Sequence, residues 1–316
     1  MSQSLRPSRD AIVATAQSSI ARGSKSFAAA SRLFDRPTRE RAWLLYAWCR
    51  RCDDLADGQD HGHGMRLVND AQERVERMRE MTERALAGEW VGDPAFDALR
   101  IVAAEVHLPH RFAHDLIDGF ALDAEGWRPA SEDDLYRYCY HVAGVVGCMM
   151  AVVMGVDAGD DATLDRACDL GLAFQLANIA RDVAEDASVG RCYLPQAWLD
   201  ETGLTLATLS APANRAALAG LAARMGALAA AYQASARFGT PALRFRSAWA
   251  VLAAAEIYGA IGQEVARDGA AALARRVTTS SVAKLGFIAT SWREALARKS
   301  LYPPSPRDPK LWTRPR

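Results

Sequence analysis

The chain has 316 residues, 50% of them hydrophobic, and its 38 basic and 38 acidic side chains balance to a formal charge of zero. That length admits one large domain or two ordinary ones, and that composition describes a globular chain with a large core. Disorder is excluded, and the lack of a basic excess argues against a nucleic-acid partner.

Helical patterning dominates: Ala, Leu, Arg and Glu recur throughout, and alternating β-branched runs are few. The N-terminal MSQSLRPSRDAIVATAQSSIARGSKSF has no long apolar block ending in a small-residue cleavage site, so no signal peptide is expected. Gly and Pro clusters predict breaks at 58–64 (GQDHGHG), 87–94 (AGEWVGDP), 125–129 (EGWRP), 155–161 (GVDAGDD), 188–195 (SVGRCYLP), 210–214 (SAPAN) and 238–244 (FGTPALR). Asp93–Pro94 and Ser210–Ala211–Pro212 read as helix entries. Tyr138 to Val156 is uncharged and long enough to span a membrane, but Gly144, Gly147 and Gly155 and the lack of basic flanks make it a buried core helix. From Tyr302 the tail YPPSPRDPKLWTRPR is Pro-rich and basic and is expected to lie extended along the surface. No repeat and no long linker is visible, so the expectation is one all-α domain over 1–316.

Taken in order, the chemistry-bearing segments begin with GSKSF, where Ser24, Lys25 and Ser26 sit in a short break before AAASRLF. Alone this reads as a helix cap; beside a diphosphate it reads as a set of donors. The apolar run RAWLLYAW then leads into CRRCDDLADG, in which Asp53 and Asp57 share one helix face one turn apart. Arg50 shares that face, with Tyr46 one turn further back. In LGLAFQLANIARDVAED, Asn178, Asp182 and Asp186 recur every fourth residue, with Gln175 above them, Arg181 beside them, and Leu170, Leu172, Phe174, Leu176 and Ile179 around them. GRCYLP follows closely enough to fold over that helix as a flap, carrying Arg191 and Tyr193 as ligand contacts, and a purely structural turn accounts for it equally well.

Carboxylates facing an apolar cavity need cations or protons, because leaving them uncompensated costs several kcal/mol. Magnesium suits such a stripe: it takes hard oxygen donors, keeps water, and is completed by substrate phosphates. Arginine complements it, since its permanent charge and donor fork match phosphate oxygens. One acidic pair alone is commonly a solvated face; two pairs on apolar helices point to a metal–diphosphate site. Other signals are weaker. Cys49 and Cys52 form a C-x-x-C with no second pair to complete a zinc site, and His61 and His63 read as a polar loop. No phosphate-binding or dinucleotide-binding glycine motif is present. The six cysteines fall in helix-like segments, which fits a reducing, cytoplasmic compartment.

The segments GSKSFAAASRLF, LLYAWCRRCDDLADG, YRYCYHVAGVVGCMMAVVMG, LGLAFQLANIARDVAED and GRCYLPQAWL, in that order, make the chain resemble the squalene/phytoene synthase family, most closely its bacterial phytoene-forming members. The resemblance runs from about residue 20 to the region of Tyr258. It implies an all-α isoprenoid-synthase bundle around a central apolar cavity. It implies that Asp53, Asp57, Asp182 and Asp186, helped by Asn178, bind magnesium, with manganese as a substitute. It further implies that Ser24, Lys25, Ser26, Tyr46, Arg50, Gln175, Arg181 and Tyr258 contact prenyl diphosphates. The implied reaction joins two geranylgeranyl diphosphates head to head, through prephytoene diphosphate, to 15-cis-phytoene for carotenoid biosynthesis, without a nicotinamide cofactor. The alternatives are a C30 synthase giving squalene or dehydrosqualene from two farnesyl diphosphates, and a non-catalytic scaffold that keeps the fold.

Three positions depart from the family pattern. DVAED replaces the frequent DVGED, Asp54 stands where many relatives carry Glu, and His141 stands where squalene synthases carry a tyrosine. Tyr140, His141 and released diphosphate remain the candidate proton acceptors. Peripheral contact with the inner membrane face is expected through the basic tail or the helix entering at residue 10, and pathway enzymes are expected partners.

Overall fold

The computed structural model describes residues 6–57, 71–274, 277 and 279–316; the side chains of Lys25, Asp57 and Ala274, the break at 58–64, and His61 and His63 lie outside the described residues. Among the described residues every regular element is helical. The helices are α1 Arg9–Gly23, α2 Lys25–Ser31, α3 Arg36–Asp57, α4 Ala71–Leu86, α5 Pro94–Val106, α6 His110–Ala124, α7 Glu132–Cys139, α8 Val145–Val153, α9 Asp161–Ser188, α10 Gln196–Thr202, α11 Arg215–Arg237, α12 Phe245–Asp268 and α13 Ser281–Leu301. Every predicted break within the described residues falls between these helices.

The chain groups into two compact units, Met1–Gly126 with Val152–Ala158, and Trp127–Ala151 with Gly159–Arg316. In the first, α3 packs against each of α1, α2, α4, α5 and α6. Its apolar stripe explains this position: Leu44, Leu45, Trp48 and Cys52 are buried. Arg9 ties α1 to α3 and α5 by reaching Glu40 at 2.7 Å and Glu105 at 2.6 Å. Asp93 caps α5 through the Ala95 amide at 2.9 Å, with Pro94 in the first turn, as the sequence predicts.

In the second unit, α9 holds the corresponding place, packing against α7, α11, α12 and the turn that precedes α8. That turn, Tyr140–Gly144, is π-helical, so the expected core helix over Tyr138 to Val156 is a helix, a π-turn and a second helix. Most of its residues are buried. No helix among the described residues is long and apolar enough to cross a membrane. Where α9 crosses this segment the backbones meet: a Cβ on Gly171 would fall on the Ala143 carbonyl, and one on Gly147 on the Ala167 carbonyl. Only glycine permits this approach.

Residues after Tyr302 carry no helix, and they are fastened to α9 by charge. Arg307 binds Asp169 through Nη2 at 2.6 Å and Nε at 2.9 Å, and Asp169 is 0% exposed. Arg314, itself buried, pairs with Asp161 and Asp165, and Arg316 reaches the same two at 3.1 Å. The Trp312 amide donates to Tyr232 Oη at 3.1 Å. Arg307, Arg314 and Arg316 of the tail are therefore engaged with an acidic i, i+4, i+8 stripe on the first half of α9.

Candidate active site

Each acidic motif lies on the central helix of its own unit. On α3 the motif is organised by Arg50. Its Nη1 meets Asp53 at 2.8 Å, while Nε and Nη2 donate to Asp54 Oδ1 at 3.0 and 2.7 Å. Asp54 is buried and Asp53 half-buried, so Asp54 fixes the guanidinium and Asp53 stays at the surface of the helix. The spacing of Arg50 and Asp53 was legible in the sequence; the anchoring role of Asp54 was not.

The GSKSF segment packs against this part of α3. A Cβ on Gly23 would strike Tyr46 Oη, and Phe27 lies 5.6 Å from the Tyr46 ring. Ser24 ends α1 and caps α2, accepting from the Phe27 amide at 3.2 Å. Ser24 and Ser26 are half-buried beside the Tyr46–Arg50 turn, and the segment is both a cap and a neighbour of the motif. Burial pushes the Cys49 thiol up to about 12, with the Asp53 charge adding to it, so Cys49 stays protonated at neutral pH.

On α9 the stripe is half-buried throughout, at Gln175, Asn178, Asp182 and Asp186. Arg181 grips Asp182 with two donors, Nε at 2.7 Å and Nη2. Asp186 differs: burial first, then the Asp182 charge, push its carboxyl up to about 6, and Arg191 pulls it back. Arg191 is brought there by the end of α9, where its amide donates to the Asp186 carbonyl at 2.9 Å. Tyr193 stacks on Tyr138 at 5.0 Å, and Tyr138 on Trp127 at 5.8 Å, so this predicted ligand contact is also part of a three-ring structural stack. Tyr258 of α12 stacks on Phe174 at 4.3 Å. Next to Arg181 and Asp182 opens a cavity of about 400 Å³ that Glu185, Ser188, Arg215 and Leu218 also line.

Arginines thus hold Asp53 and Asp54 on α3 and Asp182 in the half-buried stripe of α9, and comparison with known proteins gives these motifs a family. A sequence model described as squalene/phytoene synthase matches residues 20–283. The chain belongs to the squalene/phytoene synthase family. Its relatives in this family include a 15-cis-phytoene synthase from Enterobacter agglomerans, 47% identical over 93% of this chain and 99% of the relative. A 15-cis-phytoene synthase from Pantoea ananas is 46% identical over 94% of this chain and 96% of its own. Among solved structures, a dehydrosqualene synthase in complex with ligand aligns with a TM-score of 0.81 at 25% identity, covering 92% of this chain and 98% of that one. A squalene synthase from Alicyclobacillus acidocaldarius aligns at 0.70 with 25% identity, over 83% and 95% of the two chains. The all-α expectation is thus met by a fold of the squalene/phytoene synthase family.

Within that family frame, α9 carries a second acidic stripe on another of its faces. Asp161, Asp165 and Asp169 precede Asn178, Asp182 and Asp186 on the same helix, but they face the tail arginines. The signal was present as a second four-residue acidic periodicity and an Arg-rich terminus, and only the folded chain pairs them. Tyr140, the first residue of the π-turn, is buried edge-on to His141 at 5.2 Å and lies 5.8 Å from Trp312. Wide turns of this kind recur at functional sites.

Proposed function

We propose that the chain acts as a phytoene synthase, the whole of 1–316 serving as one catalytic body that condenses two geranylgeranyl diphosphates. The observation that carries this is the near-full-length identity of 45–47% to relatives named 15-cis-phytoene synthase or phytoene synthase. The reaction balances without a reductant. The C1–O bond of one substrate breaks, leaving an allylic cation, and the alkene of the other attacks it. A proton leaves as the cyclopropane of prephytoene diphosphate closes. Loss of the second diphosphate, rearrangement and loss of a second proton leave the central double bond. Tyr140, His141 and released diphosphate are the candidates for taking these protons.

The donor set suits a divalent ion. Asp182 and Asp186 stand one turn apart with Asn178 above, all half-buried, and burial together with the Asp182 charge raises the Asp186 carboxyl. Hard oxygen donors of this kind fit magnesium, with manganese as a substitute, and Asp53 and Asp57 supply the same chemistry on α3. Magnesium, when bound, supplies positive charge against the departing diphosphate. Arg50 and Arg181 hold the motif aspartates in the ligand-free chain, and their forks pass to phosphate oxygens as substrate enters. Ser24, Lys25, Ser26, Tyr46, Gln175, Arg191, Tyr193 and Tyr258 are the further substrate contacts of this reading. All six cysteines are free, which fits the cytoplasm.

Purified chain incubated with magnesium and labelled geranylgeranyl or farnesyl diphosphate tests the proposal. A C40 hydrocarbon from the first substrate is the expected result. A C30 product alone would instead support the C30 reading suggested by the dehydrosqualene synthase likeness, and no product from either would leave a scaffold.

A further inference from the structure

Seven large hydrophobic side chains stand exposed among the described residues, and five of them lie on α13: Val282, Leu285, Trp292, Leu296 and Leu301. The first four, with exposures of 80%, 68%, 44% and 57%, share one face. At about 100° per residue they fall within about 80° of arc, where exposed Ala289 also lies. Exposed Arg293 and Lys299 stand about 20° beyond the two edges of this arc.

The opposite side of α13 is engaged with protein. Ser291 and Ala295 are buried, and Trp249 of α12 donates through Nε1 to the Ile288 carbonyl at 2.8 Å. Glu294, the one acid of this helix, pairs with Arg237 and accepts from Tyr302 Oη. The exposed face therefore presents hydrocarbon, an indole and two cations, with no carboxylate among them.

We infer that this face of α13 docks on an anionic lipid surface. Apolar side chains enter the boundary between headgroups and acyl chains, Arg293 and Lys299 meet the lipid phosphates, and Trp292 sits where indole is favoured. A second copy of the chain fits less well. A two-fold contact through this face would crowd cations against cations with no acid to pair them. The role of the contact rests on the proposed prenyl chemistry, whose substrates and product are hydrocarbons that a bilayer dissolves.

Co-sedimentation of the full chain with lipid vesicles tests the inference without any prenyl substrate, so its failure leaves the product assay untouched. The chain should sediment with vesicles containing roughly one-third phosphatidylglycerol and much less with phosphatidylcholine alone. Val282→Ser with Leu285→Ser and Leu296→Ser should lower the partition coefficient at least about tenfold. Arg293→Glu with Lys299→Glu should abolish the preference for anionic lipid. Both variants should keep the wild-type thermal melt, because every altered side chain is exposed, and the turnover measured in detergent. The inference is overturned if wild type ignores the vesicles or if the triple variant binds them equally well. It is also overturned if sedimentation velocity shows a wild-type dimer that the triple variant dissolves while vesicles bind neither protein.

Discussion

Asp186 and Asp182 carry the same functional group on the same helix, yet their surroundings set them apart. Asp182 is neutralised by Arg181, whereas burial and its charged neighbour raise Asp186 to about 6 from 3.8. A carboxyl whose folded value is raised binds more protons folded than unfolded between those values. In metal-free buffer its contribution to stability therefore falls as pH rises from 3.8 through 6. Asp186→Asn should raise the metal-free melting temperature at pH 8 and leave it unchanged near pH 3. Allowing for solvent screening, the gain is about 1–2 kcal/mol. Magnesium at pH 8 should reverse the order by stabilising wild type alone, and calorimetry at the two pH values with and without the ion checks both statements. Asp53→Asn and Asp182→Asn should each lower turnover by about a thousandfold with an unchanged far-ultraviolet dichroism spectrum, since each removes a charge that holds an arginine and, in the proposed function, the ion. Near-normal turnover in either variant would refute the metal assignment there. At this scale the sequence was informative for some partners that are close in the chain, though it missed the i, i+4 pair of Arg50 with Asp54. Arg50 with Asp53, and Arg181 with Asp182, follow from helical spacing and adjacency. Tyr258 on Phe174 and Tyr46 against Gly23 arise from packing between helices, which no local pattern encodes.

At the scale of elements, glycine and proline placed the helix ends well because both act on the local backbone. The π-turn at Tyr140–Gly144 escaped that reading, since no glycine or proline cluster marks it. Gly171 and Gly147 let α9 lie backbone to backbone against that segment, an approach that a methyl group would prevent. Gly171→Ala should therefore lower stability by about 2–3 kcal/mol, read as a shifted denaturant midpoint with the slope preserved. It should also reduce turnover, because the same helix bears Asp182 and Asp186. Loss of stability with full turnover per folded molecule would show that the crossing supports the fold and not the site.

At the scale of the whole molecule, α9 divides its labour. Its first half is neutralised by the C-terminal residues, and its second half carries the acidic motif. The composition of the tail places it at the surface, because prolines and arginines rarely enter a core. Composition does not show the partner: three aspartates, one of them fully buried, that attract those arginines. Arg307→Ala strands Asp169 and should cost about 3 kcal/mol, whereas Arg307→Lys, which keeps the charge but not the fork, should lose less. Equal urea midpoints for wild type and Arg307→Ala would refute the pairing.

That pairing also sets a timetable. Asp169 and Arg307 are 138 residues apart in the chain, so as the protein is made the aspartate emerges from the ribosome long before its counter-charge exists. Until then α9 carries a negative charge that its own burial disfavours, and the second unit should remain open to protease. Emergence of Arg307, rather than synthesis of the helix, is then the event that lets this part of the protein close.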